Sequence, residues 1–201
     1  MVFEFTLISP ALDKNHFQDA LEEPGVLGQY SMIMLTEPDV PTKGMVGLLE
    51  WVNAGGMLVT VSGAGSGDEY NTPSTALSAA AKVTEAVRKR LVFAGDDTLP
   101  AGTTGTVTLG DEKLTFTAPS GSFGGLTPTS SDVNVKTLGT FTDGTPAVTR
   151  TTVQKGSIVR FGWLPGVSYW FSHTPGSIGN RPRSDSIRRI IAKLATAYCA
   201  H

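Results

Sequence analysis

One cysteine, Cys199, and three histidines, His16, His173 and His201, are all the thiol and imidazole side chains that 201 residues offer for metal binding and nucleophilic chemistry. A lone cysteine excludes an internal disulfide framework and any multi-cysteine metal site. Charge is also scarce. Charged residues make up 17% of the chain and the formal net charge is -2, so there is no global electrostatic reason to bind nucleic acid or an anionic membrane. No apolar run approaches the roughly 18 residues that span a bilayer, and no charged-then-apolar leader opens the chain. The expectation is a soluble protein without signal peptide, cofactor or metal, its compartment left open. Met1 runs straight into the apolar pattern Val2, Phe3, Phe5, Leu7 and Ile8, which suits a natural start or a domain cut from a longer protein equally well.

What the chain does have is enough apolar residues, 40%, for one substantial core. Its organising stretch is Met45 to Asn71. Met45, Leu48, Leu49 and Val52 recur at helical spacing, Gly55-Gly56 stops the helix, and Met57 to Val61 reads as a strand buried on both faces. Residues 2 to 9 and Tyr30 to Thr36 read as further strands, with a helix over 13 to 23 between them. Up to Val61 the grammar is β-α-β-α-β, which predicts a parallel sheet with right-handed crossovers.

After a helix expected from Thr72-Pro73 through Leu91, the grammar changes. From about residue 93 to 145 the chain is rich in Gly, Thr, Ser and Pro, with alternating runs at 106 to 109, 113 to 117 and 135 to 141 and turn signals at Gly110-Asp111 and Asp143-Gly144. These predict an antiparallel β insertion within a single domain covering 1 to 201. Two more strands, 146 to 153 and 157 to 163, flank Gln154-Lys155-Gly156, an aromatic loop follows over 163 to 179, and an amphipathic helix over 184 to 198 is expected to dock on the sheet.

The segments LGQYSMIMLT, LLEWVNAGGMLVTVSGAGSGDEYN and FTDGTPAVTRTTVQKGSIVRFGWLPGVSYW resemble the class I glutamine amidotransferase-like fold. Within it, they are most similar to the non-catalytic branch that includes the trimerisation domain of certain β-galactosidases. The resemblance implies a three-layer, flavodoxin-like, mostly parallel α/β sheet. Catalytic members carry a cysteine on the turn after a central strand, in a G-x-C-x-G pattern, and a later His-x-Glu pair. Here that turn reads Val61-Ser62-Gly63-Ala64-Gly65, no histidine begins a His-x-Glu, and Cys199 lies far from the turn. The resemblance therefore implies the fold without glutaminase chemistry.

Three functions follow as expectations. The first is a non-catalytic accessory or assembly domain of a larger, carbohydrate-active protein, whose partners are copies of itself or neighbouring domains. The second is a hydrolase acting through the 62 to 71 loop and His173, with Ser62 or Ser66 as nucleophile and Asp68 or Glu69 as supporting carboxylates; a nucleophile of this kind needs an adjacent, oriented base, and G-x-S-x-G is absent because Ala64 fills the first glycine position. The third is a sugar or small-molecule binding domain using Asp68, Glu69, Tyr70, Asn71, Trp163, Tyr169 and Trp170, since aromatic faces beside amides and hydroxyls can stack on sugars. The competing structural readings are that Asp68 or Glu69 caps a helix or pairs with Arg150 or Arg160, and that the aromatics, Phe161 and Trp163 above all, are core or subunit interface. The 62 to 71 and 163 to 173 loops are expected to meet over the carboxyl end of the sheet.

Overall fold

The computed structural model describes residues 25–86, 102–118, 123–129, 134–171 and 185–198. The strand expected at 2 to 9, the helix at 13 to 23, the far end of the helix expected to reach Leu91, and His16, His173, Cys199 and His201 lie outside the described residues.

A short 3-10 turn, Leu27–Gln29, leads into β1 (Met32–Leu35). Helix α1 (Thr42–Ala54) buries Gly44, Met45, Leu48, Trp51 and Val52 along one stripe and ends at Gly55, whose φ of 129° suits a residue without a side chain. Strand β2 (Met57–Thr60) is buried throughout. Helix α2 (Ala76–Ala81) is much shorter than the sequence suggests: Lys82 takes a left-handed φ of 52° and the β-branched pair Val83-Thr84 enters β3 (Val83–Glu85). Strands β4 (Thr103–Leu109), β5 (Glu112–Ala118), β6 (Leu126–Pro128), β7 (Val135–Phe141), β8 (Pro146–Val153) and β9 (Gly156–Phe161) follow. Two helices complete the described chain, α3 (Pro165–Phe171) and α4 (Asp185–Tyr198).

Seven strands form one sheet in the order β1-β2-β9-β8-β7-β4-β5, and β3 pairs with β6 separately. Only β1, β2 and β9 run parallel; every other pairing is antiparallel. This corrects the flavodoxin-like expectation. The molecule is a curled, mixed half-barrel rather than a parallel sheet enclosed by helices. The hairpin-rich segment is the cause: its strands continue the main sheet past β8. A register shift around Gly139 bends β7, and a side chain there would run into the Thr106 carbonyl and Val107.

The curl encloses one core and leaves a second on the opposite face. On the inner side, Met57, Val59, Val159 and Phe161 meet Val107, Phe116, Leu138 and Phe141 from the antiparallel strands, and α4 closes over them with Ile187, Ile190 and Leu194. Arg189 and Lys193 of α4 both reach Glu112 at the start of β5, so the terminal helix docks as its amphipathic pattern predicts. On the outer side, Leu58 and Ile158 pack with Leu48, Val52, Leu77, Val83 and Leu126 beneath α1 and α2.

Candidate functional site

The parallel strands end where ligands bind in open α/β sheets, and the chain after β2 turns there through Ser62 to Gly67. Ser62 is buried, and its backbone N–H donates to the Trp163 carbonyl across 3.1 Å, which places the segments after β2 and β9 side by side. Its hydroxyl donates to Glu85 Oε1 in a short hydrogen bond, and the Gly63 N–H donates to Glu85 Oε2 at 3.1 Å. Arg160, from β9, completes the cluster: Nη2 lies 3.1 Å from Glu85 Oε2 and Nη1 donates to the Val83 carbonyl at 2.8 Å. Burial pushes the Arg160 guanidinium below its ordinary value, and the Glu85 charge opposes that shift. The cluster thus ties β2, β9 and β3 together through one carboxylate.

Ala64, Gly65 and Gly67 of the turn are also buried, Ser66 is exposed, and the loop that follows from Asp68 to Asn71 opens towards solvent and is satisfied locally. Backbone bonds pin the turn to the segment after β1, with Gly65 N–H donating to Glu37 O, Gly67 N–H to Pro38 O and Val40 N–H to Gly67 O. Gly65 has a φ of 64°, and a side chain there would collide with Met45 and Leu77. Asp68 Oδ1 accepts the Tyr70 and Thr72 N–H groups at 2.9 and 2.8 Å, and Asn71 sits between them with a φ of 60°. Glu69 Oε2 accepts the backbone N–H and the hydroxyl of Thr42, at 2.8 and 3.2 Å, on the first turn of α1. Both carboxyls are held below their ordinary values, chiefly by the Thr72 N–H for Asp68 and the Thr42 N–H for Glu69. Glu69 thus caps a helix, one of the two structural roles considered for it, and it does so across 27 residues.

Among the seven residues considered as a ligand platform, the structure separates two groups. Asp68, Glu69, Tyr70 and Asn71 share the exposed loop, and Tyr70 stands out with 82% of its surface exposed. Trp163 is fully buried: its ring stacks on Phe116 with centroids 3.9 Å apart and meets Phe161 and Phe141 edge-on. Its faces are occupied by core. Tyr169 packs partly buried against the same core, and Trp170 falls in α3, which takes up 165 to 171 of the aromatic loop expected over 163 to 179; positions 172 to 179 lie outside the described residues. Ser66 lies on the exposed side of the turn, away from the buried Ser62. Among the described residues, no three histidine, cysteine, aspartate or glutamate side chains converge as a metal site. No helix among them is long and apolar enough to cross a membrane.

Glu85 was invisible to pattern reading because it lies near the end of an expected helix, and the partner of Arg160 is this residue, not Asp68 or Glu69. A signal did exist. Arg160 interrupts the otherwise apolar run from Ile158 to Phe161, and a charge in a buried strand demands a counter-charge.

Comparison with known proteins bears on the fold. No family model and no curated protein matches the chain. Solved structures do. A β-galactosidase from Bacillus circulans sp. alkalophilus superimposes with a TM-score of 0.61 at 15% identity, over 94% of this chain and 28% of that one. A β-galactosidase from the haloarchaeon Halorubrum lacusprofundi gives 0.59 at 16%, over 94% and 27%. The family GH42 β-galactosidase Gan42B from G. stearothermophilus, as a catalytic mutant, gives 0.56 at 16%, over 84% and 22%. The chain thus shares the fold of a segment that spans about a quarter of each of these enzymes.

Proposed function

We propose that this chain is a non-catalytic assembly domain of a larger carbohydrate-active protein, comparable to a β-galactosidase trimerisation domain. The observation that supports this reading most directly is the closure of the strand end after β2. Where a nucleophile would stand, Ser62 is 3% exposed and shares a carboxylate that already neutralises Arg160. Asp68 and Glu69, the other candidate acids, are engaged by backbone N–H groups. Their lowered pKa values suit fixed acceptors and oppose a role as general acid near neutrality. The likeness to quarter-length segments of β-galactosidases supports the same reading.

The contact surface in this proposal is the tip of the exposed loop. Tyr70 and Val46 are the exposed large hydrophobics of the described residues. The bond from Thr42 to Glu69 joins the two segments that carry them, since Val46 lies one helical turn beyond Thr42 on α1 and Tyr70 follows Glu69 in the loop. The loop around Tyr70 is fixed by its own hydrogen bonds, so presenting the ring costs little ordering entropy on association. Light scattering across micromolar concentrations tests the proposal, with self-association or binding to the remainder of the parent protein expected. A chain monomeric under all conditions and indifferent to its parent protein would refute it. So would turnover of a glycoside or ester that Ser62→Ala abolishes.

A further inference from the structure

Three buried polar atoms on the outer face of the sheet have no hydrogen-bond partner among the described residues: Thr60 Oγ1, Arg160 Nε and Thr149 Oγ1. The pairing register sets them in a row. Thr60 lies opposite Arg160 across β2 and β9, and Arg160 lies opposite Thr149 across β9 and β8. Residues directly opposite in neighbouring strands project to the same face. All three are more than nine-tenths buried, at 0%, 5% and 1% exposure. Two positions along β8 from Thr149, Thr151 shows what a satisfied threonine does on this face: its hydroxyl donates to the Ala81 carbonyl at 2.6 Å.

Leaving three neighbouring polar groups unpaired in a core is costly, and folded proteins meet such demands with ordered internal water. We propose that the row Thr60–Arg160–Thr149 is an internal water site, in which the Arg160 Nε–H donates to a water that also bonds a flanking threonine hydroxyl. Adjacent strands stand about 4.8 Å apart, a gap that one water can bridge. A neutral ligand fits better than an anion. Glu85 already balances the guanidinium, so a second negative charge would be buried without a partner. The water extends the Ser62–Glu85–Arg160 cluster into a polar strut across β2, β9 and β8. This rests on the reading of that cluster as structural.

The near-isosteric variants Thr60→Val and Thr149→Val test the site by urea unfolding, with Thr151→Val as a calibrator and circular dichroism as a check on folding. Valine favours strands, so an orphaned hydroxyl would be removed with gain and the urea midpoint would rise. With water bound, at least one of the two variants lowers the midpoint in the same direction as Thr151→Val. A midpoint unchanged or raised in both overturns the site. Crystals of the full chain at high resolution should show density beside Arg160 Nε. Crystals soaked in bromide that give an anomalous peak there would replace the water by a halide and overturn the proposal as stated. Should Ser62→Ala abolish a turnover activity, the assembly reading would fail, and the valine midpoints would still decide the water.

Discussion

The cluster of Ser62, Glu85 and Arg160 and the loop of Asp68, Glu69 and Tyr70 are joined by the turn after β2, but they are held by different means. In the first, one carboxylate balances a buried cation drawn from a strand 75 residues away. In the second, two exposed carboxylates accept backbone N–H groups, most of them within four residues. Buried charge needs a charged partner, whereas a surface loop can be shaped by local acceptors with water close by. The two regions should therefore respond to mutation on different scales.

The largest effect is expected at Glu85. Glu85→Ala leaves the Arg160 guanidinium buried beside an empty space, and breaking such a pair costs about 3–5 kcal/mol. Urea unfolding followed by tryptophan fluorescence should show that loss. The double variant Glu85→Leu with Arg160→Met should recover much of it, because an apolar pair needs no counter-charge. If the single variant behaved like an exposed substitution, the two regions would not differ as described.

How far the sequence foretold this comparison depends on the range of the interactions. Helix α1 and strand β2 were legible because their apolar spacing and Gly55-Gly56 are local signals, and the hairpin strands were legible from Gly110-Asp111 and Asp143-Gly144. Their pairing was not. Alternation in 103 to 118 marks strands without saying that they extend the sheet holding β2, and the parallel grammar of 30 to 61 suggested the wrong fold class for the remainder. Trp163 followed the same logic. Read in an aromatic loop it suited a ligand platform, but Phe116, 47 positions earlier, covers its face. In the candidate site, the loop carboxylates were legible and Glu85 was not, because its partner comes from a strand far away in the chain.

Smaller effects should follow in the loop, and pH separates them from the first. Asp68→Asn and Glu69→Gln should each destabilise the protein far less than Glu85→Ala. The folded-state values of both carboxyls are depressed below the ordinary 3.8 and 4.5, so their stabilisation is fully present above those values. It is lost as pH falls below about 4 through the folded values. The urea midpoints of wild type and either variant should therefore differ at pH 7 and converge towards pH 2. A difference that persists undiminished in acid would show that the carboxylate charge is not what holds the loop.

The smallest effect on stability, and the most informative for function, is expected at Tyr70. Its side chain is 82% exposed, and truncating an exposed group away from caps and buried networks usually changes stability by less than about 0.5 kcal/mol. The same ring is proposed to anchor a contact, where aromatic residues in the centre of an interface commonly carry about 2 kcal/mol or more. Tyr70→Ala should thus leave the unfolding curve in place while weakening association by roughly 30-fold or more, the equivalent of that 2 kcal/mol at room temperature. Sedimentation across a concentration series reads the second quantity and denaturation the first. Val46→Ser should act in the same direction with a smaller loss, since Val46 is 52% exposed and presents less area. If both variants associate as the wild type does, the contact lies elsewhere on the molecule, and the rigid loop is shaped only to close the end of the sheet.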